Sequence, residues 1–292
     1  MPTLYHGADY NPDQWLDRPD ILERDIELMQ KAHVNVVSLG IFAWCTLEPE
    51  EGRFNLDWMQ EIIDRLYDAG ISIDLATPSG ARPAWLAKKY PEVLRVNADR
   101  TRQLFGARHN HCYTSPVYRD KVRTINQTLA RRFGRHPGVI LWHLSNEYGG
   151  ECHCPLCQQA FRDWLRDRYG DIAALNRAWN TKFWSHEFAD FDQIESPAPH
   201  GENAMHGLNL DWRRFVSHQT IDFMKWERDS IREIVPEAKV CANMMYMFPG
   251  VNYFDMAREL DLASWDSYPT WHKPTETLEY TALDTAMMHD LF

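Results

Sequence analysis

The sequence predicts an α/β fold of parallel strands joined by helices, a TIM-type (β/α)8 barrel, and three observations carry that expectation. Short β-branched runs alternate with amphipathic stretches, as in repeated strand–helix–strand units. Polar and aromatic residues gather directly after the apolar runs, where the functional face of a barrel lies. No glycine-rich phosphate loop follows any strand, which takes weight from the nucleotide-binding doubly wound alternative and from a NAD-type oxidoreductase.

Taken in order, Tyr5 to Tyr10 reads as the first strand. Asp20 to His33 carries Leu22, Ile26 and Met29 at helical spacing, and Val34 to Leu39 is a compact buried strand. A second helical stripe runs through Trp58, Ile62, Leu66 and Ala69 and stops at Gly70, which tolerates the left-handed conformation. Ile71 to Ala76 is the third strand. Arg119 to Phe133 reads as a helix with basic residues near its end, as the helix dipole favours. Val139 to Leu144 is the fourth strand, Gln158 to Tyr169 a helix ending at Gly170, and Trp212 to Val235 a long helix. Lys239 to Ala242, Phe254 to Leu260 and Leu262 to Trp265 complete the pattern as strand, helix and strand, and Glu279 to Phe292 looks helical. Trp179 to Asn209 reads as an irregular insertion, either a pocket wall or oligomer contact or a mobile surface loop. Six strands are legible where a barrel needs eight. The expectation is one catalytic domain over residues 1–292, with about six of eight strands present and the carboxyl-terminal part missing.

Composition narrows the function. The chain has 292 residues, 44% hydrophobic and 25% charged, ordinary for a globular protein and unlike a disordered one. A formal charge of −11 argues against a phosphate backbone as partner. The apolar runs Ile41 to Cys45 and Met244 to Phe248 are far too short to span a bilayer. With no basic and apolar leader at its start, a cytoplasmic protein is expected. Aromatic residues reach 13%, and rings in loop-like sequence suit stacking on ligands as well as core packing.

Four of the six cysteines cluster as Cys112, Cys152, Cys154 and Cys157, whereas Cys45 and Cys241 stand alone. Cytosolic chains seldom use disulfides, so the cluster points to a metal. Four thiolates complete a tetrahedral Zn²⁺ shell and leave no position for water, which makes a zinc here structural. Reduced cysteines packed as small hydrophobes are the plain alternative, and His109, His111 and His153 are possible replacement ligands.

Asn146-Glu147 stands where the fourth strand meets its loop. A carboxyl group walled there by residues such as Trp142 would be poorly solvated, which favours the protonated form a general acid needs. The amide of Asn146 could hydrogen-bond a sugar hydroxyl in an oxocarbenium-like transition state. Alternatively the pair merely caps the following turn. The opening run His6 to Trp15, the run Trp44 to Pro49 with Gly52, the segment Leu144 to Gly149 and the cysteine spacing together resemble glycoside hydrolase family 42, whose members are mostly β-galactosidases.

That resemblance implies a retaining hydrolase of terminal non-reducing β-D-galactosides or galacto-oligosaccharides, with Glu147 as acid/base. It implies that Arg108 and Asn146 hold the galactosyl unit, that Trp184 and Tyr268 are the sugar-stacking and nucleophile-adjacent aromatics, and that the cysteines hold zinc. It also implies homotrimers for the full-length protein. The family's nucleophile comes from the seventh strand, so no nucleophile is expected in this chain, which would be inactive or weakly active alone. Glu48, Asp266 and Glu276 are the in-chain carboxylates considered as substitutes, and Glu48 and Asp266 are better read as shaping the pocket. Another barrel glycosidase, acting on β-glucosides or arabinosides, and a non-catalytic carbohydrate-binding remnant are the alternatives.

Overall fold

The computed structural model describes residues 4–245, 248–268, 282–283 and 286–287. Six strands form one sheet: β1 Gly7–Tyr10, β2 Val36–Leu39, β3 Ser72–Ala76, β4 Val139–His143, β5 Val240–Met245 and β6 Leu262–Asp266. Their spatial order is their chain order, and every neighbouring pair is parallel. A doubly wound sheet reverses its order at a switch point. This one never reverses, so the strands are successive staves of a partial (β/α)8 barrel, with β1 and β6 at its edges among the described residues.

Helices make the crossovers. The principal ones are α1 Pro19–Lys31, α3 Asp57–Asp68, α5 Pro116–Phe133, α6 Pro155–Tyr169 and α8 His206–Arg232. Four shorter helices lie between or after them: α2 Trp44–Leu47, α4 Ala84–Lys89, α7 Ile172–Trp179 and α9 Tyr253–Ala257. Ser115 caps α5 by accepting from the Tyr118 amide at 3.2 Å, and Pro116 occupies the first turn, where its missing N–H costs nothing. Gly70, at φ +79°, ends α3 in the conformation expected of it.

Between sheet and helices lies a core in which Val37, Leu39, Ile73, Leu75 and Trp142 pack with Ile63, Leu66, Tyr118, Ile125, Phe133 and Phe223. A second core joins Phe161, Leu165, Leu175, Trp179, Phe191, Ile194, Trp212 and Phe215. It explains the two largest departures from the sequence reading. The region expected to be irregular contributes Phe191 and Ile194 to packed structure, and α8 begins at His206 rather than Trp212. Helix α7 lies just before this region, and Asp171 caps it by accepting from the Ala174 amide at 2.7 Å. The expected helix over 279–292 lies outside the described residues apart from 282–283 and 286–287.

Candidate active site

The segment after β4 makes an unusual turn. Ser145 and Glu147 both have positive φ, +53° and +46°, a conformation costing a non-glycine residue about 1 kcal/mol or more. Side chains from neighbouring staves hold both amides. Ser145 N–H donates to Thr77 Oγ1 at 2.6 Å, and Glu147 N–H donates to Asn243 Oδ1 at 2.8 Å.

Behind the turn, the fully buried Glu227 of α8 accepts four hydrogen bonds. Thr77 and Ser79 hydroxyls donate at 2.9 and 2.6 Å, Asn126 Nδ2 at 3.1 Å and the Tyr148 hydroxyl at 2.9 Å. Burial pushes this carboxyl above its ordinary range while the four donors pull the other way. Through Thr77 and Tyr148 the carboxylate brackets the Asn146-Glu147 pair on both sides.

On the open side, Arg108 Nη2 lies 2.6 Å from Glu147 Oε2, and its guanidinium stands 5.8 Å from the centre of the Phe42 ring. The Glu147 side chain is only 13% exposed. It is poorly solvated, as expected, and its carboxylate is paired with a cation. Asn146 is buried, with Oδ1 accepting from Asn243 Nδ2 at 3.3 Å and Nδ2 without a partner among the described residues. Asn243 also donates to Asp266 Oδ1 at 3.0 Å. Asp266 titrates at about 6, raised by its burial and by the neighbouring Glu147 carboxyl. Tyr268 is largely exposed, and the Asp266 charge, with burial and Glu147 next, raises its phenol. Its phenol therefore lies within electrostatic reach of the same carboxylates.

Below these groups the sheet interior is polar. Ser38 donates to Asp74 at 3.2 Å, His143 Nδ1 lies 3.5 Å from Asp74, and His143 Nε2 lies 3.2 Å from Asn243 Oδ1. Burial opposes charge on His143, but Asp74 and Asp9 overcome it and raise its pKa.

Arg108, Asn146, Glu147, Asp266 and Tyr268 are thus brought together, while Trp184 is not. Trp184 is 73% exposed on an outer loop, stacked on Phe183 at 5.2 Å, and none of its described contacts is to the Glu147 group. Glu48 is buried with its carboxylate taken up by Trp44 Nε1 and the Gly52 amide, both at 2.8 Å, so its role is to hold a loop. Glu276 lies outside the described residues. Asn243 and Glu227 escaped the sequence reading. The available signals were an Asn inside a buried strand and a Glu on the apolar stripe of α8, which includes Phe223, Met224, Ser230 and Ile231.

The four clustered cysteines converge. Cys112, Cys152, Cys154 and Cys157 are buried, with sulfurs all within 4.8 Å of one another. Cys112 Sγ lies 3.6 Å from Cys154 Sγ and 3.5 Å from Cys157 Sγ. With Zn–S bonds of about 2.3 Å, a tetrahedron has sulfur–sulfur edges of about 3.8 Å, so the residues fit a zinc ion. The replacement histidines are disposed otherwise. His153 spends its ring nitrogens on Ser196 and Glu151, at 2.8 and 3.1 Å, and buried His111 stacks on Tyr118. Burial, with Arg95 and Arg108 adding to it, lowers His109 to about 4. Arg95 links the two cysteine-bearing loops, donating to His111 O at 2.8 Å and Gly149 O at 2.6 Å. Gly150 is required here: its φ is +83°, and a Cβ would lie 1.9 Å from Arg95 Nη1.

Comparison with known proteins gives a consistent result. The glycoside hydrolase family 42 model, described as beta-galactosidase, matches residues 9–292. A beta-galactosidase of Alicyclobacillus acidocaldarius is 61% identical over 98% of this chain and 41% of its own length. One of Clostridium perfringens is 54% identical over 100% of this chain and 43% of its own. The crystal structure of a beta-galactosidase from Rahnella sp. R3 superposes with a TM-score of 0.96 at 54% identity, covering 99% of this chain and 43% of that one. The chain therefore spans less than half the length of these relatives.

Proposed function

Since the chain belongs to glycoside hydrolase family 42, we propose that it supplies the proton-donating side of a retaining site for terminal β-D-galactosides. The observation that carries this reading is Glu147, 2.6 Å from Arg108 and next to the unpartnered amide of Asn146. The guanidinium rests on the carboxylate. A galactosyl unit held by Arg108 and Asn146 takes its place and lets Glu147 meet the glycosidic oxygen. Glu147 then protonates that oxygen as the bond breaks, and later takes a proton from the incoming water. Tyr268 lies over the sugar, while Asp266 shapes the floor.

Retention needs a second carboxylate about 5–5.5 Å from the acid as nucleophile. We place it outside residues 1–292, in agreement with the share of its relatives that the chain spans. The four cysteines hold a structural zinc, which when bound cross-links the loops after β3 and β4 beside Glu147 and takes no part in the chemistry. A cytoplasmic location accords with thiols used as ligands. No helix among the described residues is long and apolar enough to cross a membrane. The longer protein is a homotrimer, and the exposed Phe183–Trp184 pair is a surface suited to its contacts.

The test is turnover of nitrophenyl glycosides. The 292-residue chain alone is expected to give background rates. Joined to the remainder of its reading frame it hydrolyses the β-galactoside in preference to the β-glucoside and α-arabinoside, and Glu147→Gln lowers kcat/KM by about 10²-fold or more. Robust turnover by the isolated 292 residues, or a Glu147→Gln enzyme within tenfold of wild type, would contradict the reading.

A further inference from the structure

We propose that Asn243 is a positioning residue: it fixes which end of the Asn146 side-chain amide faces the bound sugar, leaving the Nδ2 hydrogens for a sugar hydroxyl oxygen. This rests on the galactoside-hydrolysing reading and adds a residue to it.

Donors and acceptors fix the orientation of both amides. The backbone N–H of Glu147 can only donate, and it points at one end of the Asn243 amide at 2.8 Å. His143 Nε2 approaches the same end at 3.2 Å, while its other ring nitrogen faces Asp74. The amide end that the backbone N–H points at is the oxygen, since reversing it would set N–H against N–H, and a protonated His143 donates to the same oxygen. The Nδ2 end of Asn243 is therefore directed to Asn146 and Asp266, at 3.3 and 3.0 Å. Asn146 must answer a donor with its own oxygen, which leaves Nδ2 as its free end.

That nitrogen is buried and has no partner among the described residues, a state costly enough to call for an acceptor. The register supplies the geometry. His143 of β4 pairs with Cys241 of β5, so Asn243, two residues on, comes level with the turn that carries Asn146. Asn243 pairs in turn with Ser264 of β6, and Met245 with Asp266. One side chain thus touches the Glu147 backbone, the Asn146 amide and the Asp266 carboxyl.

A double-mutant cycle tests this in the longer protein, read as kcat/KM for a nitrophenyl β-galactoside and as galactose affinity by calorimetry. Asn243→Ala is expected to lower kcat/KM by about 10–100-fold in the wild-type background. In an Asn146→Ala background it should cost less than about threefold more, because its effect passes through Asn146. Equal losses in both backgrounds would show a merely structural role and overturn the proposal. Asn243→Asp keeps the acceptor for Glu147 and His143 but turns a second oxygen toward Asn146. It decides the question should Asn243→Ala fail to fold. It is expected to lose at least as much as alanine, again mostly through Asn146, and near-wild-type turnover would overturn the proposal. Wild-type protein that neither hydrolyses nor binds galactosides sinks the functional reading and this inference with it. An active wild type with additive losses sinks only the inference.

Discussion

Asp266 and Glu147 put two carboxyls at one site, and burial sets Asp266 apart from a free aspartate. Asp266 titrates at about 6 in the folded chain against an ordinary 3.8, raised by burial and by Glu147. An acid whose folded pKa is raised holds its proton more tightly in the native state. It therefore stabilises the fold at low pH and loses that contribution as pH rises from about 4 to above 6. Relative to Asp266→Asn, wild-type stability in urea should fall across that window. A difference between the two that is flat, or that grows with pH, would show that Asp266 faces solvent freely. At this scale the sequence was partly legible. Glu147 and Asn146 announce themselves as polar residues following a buried strand, and Arg108 came only with the family resemblance. Asn243 was hidden, because its importance depends on register across β4, β5 and β6, which no single segment of sequence contains.

Helix α8 is more than a crossover. Its Glu227 gathers donors from the loop after β3, from α5 and from the residue following Glu147. Removing that carboxylate leaves four buried donors unpaired. Glu227→Ala is expected to cost about 3–5 kcal/mol in urea unfolding, and Glu227→Gln, which keeps acceptor oxygen, about half as much. An alanine cost under about 1 kcal/mol would show the donors finding other partners. The thiolate loops act at the same scale. Purified without chelator, the protein should hold about one zinc, and Cys154→Ser or metal removal should lower Tm by about 10 °C. Less than half an equivalent of zinc would leave the cluster as packed thiols. The convergence of the four cysteines could be read from their spacing before any fold is known. The start of α8 could not, because Phe191, Ile194 and Trp212 form their core only once the insertion has folded against α6.

Across the whole molecule, the sequential parallel sheet puts the carboxyl ends of β4, β5 and β6 side by side, and that alone assembles Asn146, Glu147, Asn243 and Asp266. The alternation of apolar runs and helical stripes was enough to predict this layout, because each strand and its helix bury one another locally. The outer loop with Trp184 carries no comparable pattern, and the described ring contacts of Trp184 are to Phe183 and His186. The proposed function turns on Glu147 moving a proton, and chemical rescue probes that step. In the longer protein, Glu147→Ala should still lose a dinitrophenyl leaving group, which needs no acid, and then stall for want of a base. Added azide should restore turnover and yield β-galactosyl azide, the anion needing no deprotonation. An alanine variant that azide leaves unchanged, or a product of α configuration, would contradict the role given to Glu147.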